Sequence, residues 1–258
     1  MTDLDLAHAA MEAAPEDDAK RLQFYERLAD TELFMLLGGE AEGDQITPEL
    51  FDIEGQSFAL VFDREARLAQ FVGREAPYAG LSGRVLTQMI TGQGIGLALN
   101  LEVAPSAMLI PADAVDWLDH TLGNTPQEAQ ARLTEVSSPK GLPEVVITGL
   151  DRKLAIAAGL ARCAYLAAAT YEDGGRGHVL AFIDAVPGAE DALAKAAGEA
   201  LTFSGIEAGT MDVMFARGDD PLTAHLANVA LRFDLPDLHE PQAPGAPGMD
   251  PDKPPRLR

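Results

Sequence analysis

Cysteine is almost absent from this sequence: Cys163 is the only one among 258 residues. A single cysteine cannot close an internal disulfide and cannot supply a zinc or iron–sulfur site that needs several thiolates. This scarcity is typical of proteins in a reducing compartment. The surrounding segment ARCAYLAAAT is apolar and resembles a strand. We therefore interpret Cys163 as a buried packing residue, with a catalytic thiol as the alternative.

Basic residues are also scarce. Nineteen lysines and arginines stand against 41 aspartates and glutamates, which gives a formal net charge of -22. A surface with this charge repels a phosphate backbone, so nucleic acid is not expected as a partner. The first basic residue is Lys20, and the N-terminus therefore lacks the positive charge that opens a secretory signal. Together with the cysteine scarcity, this predicts a cytoplasmic protein.

Long apolar runs are missing as well. The most membrane-like stretch, residues 154–170, is shorter than the roughly 20 residues that a spanning helix needs, and it contains Arg162. A membrane is therefore not expected as a partner.

The residues that are present predict an α+β fold made of two mixed helix/sheet modules. Hydrophobic residues make up 47% of the chain, which is enough for a sizeable core, and the length favours two domains. The predicted units are an extension at 1–19, a first domain at 20–140, a second domain at 141–234 and a tail at 235–258. SSPKGLP has the composition of a connection between domains. The tail is rich in proline and glycine and is predicted to be disordered.

Turn residues and apolar spacing predict several elements. LFDI and SFALVF flank Gly55 and predict a hairpin, and CAYLAAATYE and GHVLAFIDA flank DGGRG and predict an antiparallel pair. Pro111 is expected to open a helix whose apolar stripe is Val115, Leu118 and Leu122. Further helices are expected over residues 81–90 and 151–162. REARLAQFVG fits either a helix or a strand.

Motifs for nucleotide binding and nucleophilic catalysis are not found. Gly92, Gly94 and Gly96 form a glycine cluster, but a phosphate loop follows a strand and opens a helix. Here a helix precedes the glycines and a strand follows, which indicates a connector. No GxSxG elbow occurs. The sequence predicts no catalytic residue and no cofactor.

The candidate metal ligands are Asp113, Asp116 and His120, which share one face of the predicted Pro111 helix. A carboxylate–imidazole site is one interpretation. A solvated face is the favoured one, because the apolar stripe lies opposite and acidic residues near a helix start are stabilised by the helix dipole.

Trp117 lies on the same helix, about 130° from the centre of the apolar stripe. It therefore cannot share the core contact of that stripe, and another surface is expected to cover it. The favoured cover is the neighbouring module, and the functional alternative is a protein partner, because tryptophan is enriched at binding hot spots.

Three segments together carry a family resemblance: FYERLADTELFMLL, EGQSFALVFD and GIGLALNLEVAPSAMLIPADAVDWL. They resemble the N-terminal domain of the SseB (enhanced serine sensitivity protein) family over about residues 20 to 122, and the region after 140 resembles its C-terminal domain more weakly. The matching positions are Phe24, Tyr25, Gly55, Phe58, Phe62 and Asn100. Leu101 stands where the family has a proline after the asparagine.

The resemblance implies a soluble α+β protein without catalytic residues that can be transferred to this chain. The first functional hypothesis is therefore a cytoplasmic, non-enzymatic factor that acts through a protein partner in an amino-acid (serine) stress context. Its partner surface is expected to include Trp117. The alternative is an enzyme or a small-molecule or metal binder that uses a cleft between the modules, with Asp113, Asp116 and His120 or with Cys163.

Overall fold

The computed structural model describes residues 1–40, 46–124, 132–205 and 211–236. These residues form two units, which we call the first and second module. The first module contains α1 (Asp3–Ala13), α2 (Asp18–Asp30), β1 (Glu32–Leu36), β2 (Leu50–Ile53), β3 (Gln56–Phe62), α3 (Glu65–Val72), β4 (Tyr78–Ser82), α4 (Gly83–Ile90), β5 (Ile95–Leu99), β6 (Met108–Ile110) and α5 (Ala112–Leu122). The second contains β7 (Leu133–Ser137), α6 (Glu144–Ile156), β8 (Cys163–Tyr171), β9 (Arg176–Ile183), α7 (Glu190–Phe203), β10 (Met211–Ala216), α8 (Pro221–Val229) and β11 (Leu231–Asp234). The α+β class predicted from the sequence is confirmed.

The first module is a mixed sheet covered by helices on both faces. Its strand order is β4-β1-β3-β5-β6, with β2 paired to β3. The predicted hairpin of β2 and β3 is present, and its turn places Glu54 and Gly55 in the left-handed region. Helices α1, α2, α4 and α5 cover one face of the sheet, and α3 covers the other.

Helix α1 belongs to the core of the first module, although the sequence interpretation set residues 1–19 apart as an extension. Its Leu4 and Met11 are buried in the same cluster as Phe24 and Leu28 of α2. A threonine N-cap with a capping box starts the helix: Thr2 accepts a hydrogen bond from the Asp5 amide, and Asp5 accepts one from the Thr2 amide.

The second module contains a smaller sheet. Its strand order is β10-β9-β8-β11, and β7 pairs with β8. Strands β8 and β9 are antiparallel, as predicted. Alternate residues of β8 enter two different cores. Ala164 and Leu166 face α6 and α7, whereas Cys163 and Tyr165 face α8.

Two predicted helix boundaries are wrong. Helix α6 covers Glu144–Ile156 instead of 151–162, because Val146, Leu150 and Leu154 recur at helical spacing and bury one face. Residues 78–82 form β4 against β1, so the helix expected from residue 81 begins at Gly83. The open segment REARLAQFVG contains α3. The predicted tail lies outside the described residues from 237 onward, and Leu235 is buried in the second core.

Helix α7 joins the two modules. Its last residue, Phe203, is buried in the core of the first module rather than its own. Gly205 then lies so close to α2 that a Cβ added there would stand 3.0 Å from the Cα of Ala19. Among the described residues, no helix combines the length and apolar character needed to cross a membrane.

Candidate functional site

The predicted metal ligands lie on the exposed face of α5. Asp113 Oδ1 accepts a hydrogen bond from the Ala114 amide at 2.9 Å. Asp116 Oδ1 accepts hydrogen bonds from Thr91 Oγ1 at 2.9 Å and from the Gly92 amide at 2.8 Å, and so fastens the glycine connector to α5. His120 is exposed. Within the described ranges, no group of three or more His, Cys, Asp or Glu side chains is placed to hold a metal ion.

Trp117 is held by aromatic rings from both modules. Its ring packs edge-on against Tyr25 of α2 at 5.3 Å and against Phe203 of α7 at 6.5 Å between centroids. The side chain nevertheless remains 40% exposed. Contacts on one side therefore fix the orientation of the indole, while its other side meets solvent.

Exposed apolar residues of α4 lie beside the tryptophan helix. Helices α4 and α5 pack together, and Val85 and Met89 are exposed one turn apart on α4. We use the name α4/α5 surface for Val85, Met89, Asp113, Asp116 and Trp117. It combines apolar side chains with two carboxylates.

Cys163 is buried at the start of β8, with 1% of its surface exposed. It lies in the core between the second sheet and α8. The thiol is therefore not accessible from the surface.

Lys153 lies at the centre of an ion cluster between the modules. Only 5% of the residue is exposed. Its Nζ atom lies 2.6 Å from Asp30 Oδ2, 3.1 Å from Glu199 Oε2 and 3.6 Å from Glu26 Oε1. Asp30 and Glu26 belong to α2, whereas Lys153 and Glu199 belong to α6 and α7, so the contacts join the modules.

Arg84 completes this interface ion cluster, which consists of Glu26, Asp30, Arg84, Lys153 and Glu199. Its guanidinium donates two hydrogen bonds to Glu199, at 2.6 and 2.9 Å, and one to Asp30 at 3.0 Å. Burial would raise the pKa of Glu199, but the hydrogen bonds from Arg84 and the charge of Lys153 hold this pKa below its ordinary value.

Glu26 differs from the other carboxylates of the cluster. Its Oε1 atom is buried and accepts no hydrogen bond from the described residues. Burial raises the pKa of Glu26, the charge of Lys153 opposes this rise, and the charge of Asp30 adds to it, so the pKa lies above its ordinary value. A buried carboxylate oxygen without a donor is costly for the fold.

A second buried network fixes α1 to the first sheet. Arg67 of α3 donates hydrogen bonds to Asp5 at 2.6 and 3.0 Å and to Asp63 at 2.6 Å. Burial would raise the pKa of Asp5, but hydrogen bonds from Arg67, Ser106 and the Thr2 amide hold it well below its ordinary value.

Asn100 connects this network to the end of β5. The residue is buried, and its backbone is in the left-handed region at φ 48°. Its side chain accepts a hydrogen bond from the Asp63 amide at 3.1 Å and donates one to Ser106 Oγ at 2.9 Å. Ser106 in turn donates to Asp5 at 2.6 Å. An asparagine suits this position because it tolerates the left-handed conformation and offers both a donor and an acceptor.

The first module matches a known protein family. Residues 6–117 match the family model described as SseB protein N-terminal domain. The first module is therefore similar to the SseB N-terminal domain over most of its length. The match begins within α1, which the sequence resemblance had left out. No curated protein and no solved structure matches the chain.

The SseB resemblance identified one residue of the buried networks, and sequence reasoning missed the rest. Asn100 was recognised as a family position, and the structure gives it a hydrogen-bonding role. Asp63 and Arg67 had a signal in their i,i+4 spacing after a strand. Lys153 and Asp30 are 123 residues apart in the chain, and no local pattern connects them.

Proposed function

We propose that this protein is a cytoplasmic, non-enzymatic factor of the SseB type that acts by binding a protein partner in the regulation of amino-acid (serine) stress. The observation that carries the proposal is the exposed side of Trp117. Tyr25 and Phe203 hold the indole in one orientation, so little conformational entropy is lost when a partner covers it. Large, rigid aromatic side chains of this kind dominate many protein interfaces.

The charge around Trp117 defines the chemistry of the partner. Asp113 and Asp116 flank it on α5, and the whole chain has a net charge of -22. Val85 and Met89 extend the apolar area on α4. A partner segment with apolar and basic side chains complements this surface, and opposite charge accelerates their encounter.

The test compares the proteins that co-purify from the native cytoplasm with the full chain and with a Trp117→Ala variant. We expect wild type to retain a stoichiometric protein partner, and the variant to lose it. With the purified pair, Trp117→Ala should weaken binding by about 2 kcal/mol or more, as for a hot-spot tryptophan. Binding of the wild type should also weaken with added salt.

Phe51→Ala is the matched control, because Phe51 is an exposed aromatic residue on β2 and belongs to neither α4 nor α5. It should retain the partner. Equal partner binding by wild type, Trp117→Ala and Phe51→Ala would refute the proposed surface.

A further inference from the structure

A cleft of about 280 Å³ lies where three helices from the two modules meet. One face of α2 supplies Lys20, Gln23 and Glu26. Helix α6 supplies Glu144, Thr148 and Arg152, and the end of α7 supplies Phe203. The volume is below the about 300–1,000 Å³ that is typical of pockets for drug-sized ligands. The cleft therefore suits a smaller molecule.

Glu26 lines this cleft, and one oxygen of its carboxylate lacks a hydrogen-bond donor among the described residues. The residue is 5% exposed, and its Oε1 atom accepts no hydrogen bond from the described part of the chain. Lys153 lies 3.6 Å from this atom, which is beyond hydrogen-bonding distance. Because Oε1 itself is closed to solvent, the Glu26 carboxylate has to turn toward the cleft before an ammonium group there supplies the missing donor and a compensating charge.

Cationic side chains line the same cleft. Arg152 is exposed and Lys20 is partly exposed, and within the described ranges neither forms an ion pair of 4.0 Å or less. A guanidinium offers paired donors that match the geometry of a carboxylate. The cleft thus combines the buried Glu26 with two cations nearer the surface, where the exposed Glu144 also lines it.

From this arrangement we propose that the cleft binds a small zwitterion of the α-amino-acid class. The ligand's ammonium group donates to Glu26, and its carboxylate pairs with Arg152 and Lys20. Gln23 and Thr148 offer polar contacts for the ligand's side chain. This site is separate from the α4/α5 surface and involves none of Asp113, Asp116, His120 or Cys163.

The test titrates the full chain with each of the protein-forming L-α-amino acids and follows backbone amide signals by NMR. At least one amino acid should bind with a Kd of about 10 mM or tighter and should shift signals of α2 and α6 around the cleft. Propionate and propylamine each carry only one of the two charges. Both should bind about tenfold more weakly or worse, because each lacks one charge-assisted contact.

Three variants locate the site. Glu26→Gln and Arg152→Gln should each weaken binding of the amino acid by about tenfold or more. Arg152 is exposed, so its variant is expected to fold even where Glu26→Gln changes stability. Arg176→Gln removes an exposed arginine on β9 outside the cleft and should bind like wild type.

Two results would overturn the proposal. One is the absence of saturable binding for every amino acid in the set. The other is binding that propionate or propylamine reproduces in full, or that Arg152→Gln leaves unchanged. Trp117 does not line the cleft, although Phe203 contacts both. Amino-acid titration of Trp117→Ala therefore separates the two proposals: the variant should lose the protein partner and still bind the amino acid.

Discussion

At the scale of single residues, Arg67 determines whether α1 can be buried on the first sheet. The side chains of Asp5 and Asp63 are almost completely inaccessible, and Arg67 pairs with both of them at 2.6 Å. Removing two carboxylates from water is costly. The guanidinium offsets this cost because its planar set of N–H donors forms hydrogen bonds with both carboxylates. Without this cation, Asp5 and Asp63 would be two like charges in the same buried network.

We therefore expect Arg67→Met to lower the free energy of unfolding by about 3–5 kcal/mol, as for a buried pair that loses one partner. Methionine retains much of the apolar stem, so the effect reports mainly the lost charge and hydrogen bonds. Urea denaturation followed by circular dichroism measures the change. Arg74→Met is the control, because Arg74 is exposed and its one hydrogen bond to the described residues is a 3.5 Å contact with the neighbouring Glu75 carbonyl. Similar losses in the two variants would contradict this role of Arg67.

At the scale of elements, α7 of the second module holds the two modules together, because its last turn is buried in the core of the first module. Phe203 is 1% exposed and packs among first-module residues, including a contact with Trp117. One turn earlier, Glu199 pairs with Arg84 of α4. An apolar and an ionic contact from the same helix therefore fix its position against the first module.

Phe203→Ala tests this arrangement directly, because Trp117 is the only tryptophan of the chain. Removing the phenylalanine ring should reduce stability by about 3–5 kcal/mol and uncover more of the indole. We expect tryptophan emission at longer wavelength and stronger quenching by acrylamide in the folded variant. Phe215→Ala changes an exposed ring on β10 and should leave the emission unaltered. An unchanged spectrum in Phe203→Ala would mean that α7 does not cover Trp117 in solution.

The elements also show how far the sequence could predict the structure. The stripe of α5 and the β2–β3 hairpin were predictable, because helical spacing and a glycine turn are local signals. Helix α6 was misplaced because VVIT has β-branched residues, whose preference for strands is overridden here by burial of one helical face. The position of Trp117 off the stripe correctly predicted an additional contact, but its partners Tyr25 and Phe203 are far apart in the chain. The interface ion cluster had no sequence signal for the same reason.

At the scale of the whole molecule, the interface ion cluster sets how the joined modules respond to pH. Two cations, Lys153 and Arg84, face three carboxylates, Glu26, Asp30 and Glu199. The cluster therefore has an excess of one negative charge, and the pKa values of Glu26 and Glu199 move in opposite directions. The pKa of Glu199 is lowered by its two cationic partners, while burial and the nearby Asp30 raise that of Glu26.

These opposite shifts predict opposite contributions to stability. A carboxylate whose pKa is lowered in the folded state stabilises it above the unfolded pKa of about 4.3 for glutamate, and this contribution is lost as the pH falls. Protonation of Glu199 on acidification therefore destabilises the fold, and so does protonation of Asp5, whose pKa is also lowered. The raised pKa of Glu26 has the reverse effect, because its protonation favours the folded state at low pH.

Glu199→Gln should therefore flatten the pH dependence of stability. We expect the free energy of unfolding of wild type to fall from about pH 5 downward, and that of the variant to start lower at neutral pH and to fall less steeply over the same range. Urea titrations from neutral pH to pH 3 measure both slopes, and the contribution of Asp5 is common to the two proteins. Glu12→Gln neutralises an exposed glutamate of α1 and should retain the wild-type slope. If Glu199→Gln also retained it, the contacts between the modules would not be the source of the acid sensitivity, and Asp5 with its network would have to account for it alone.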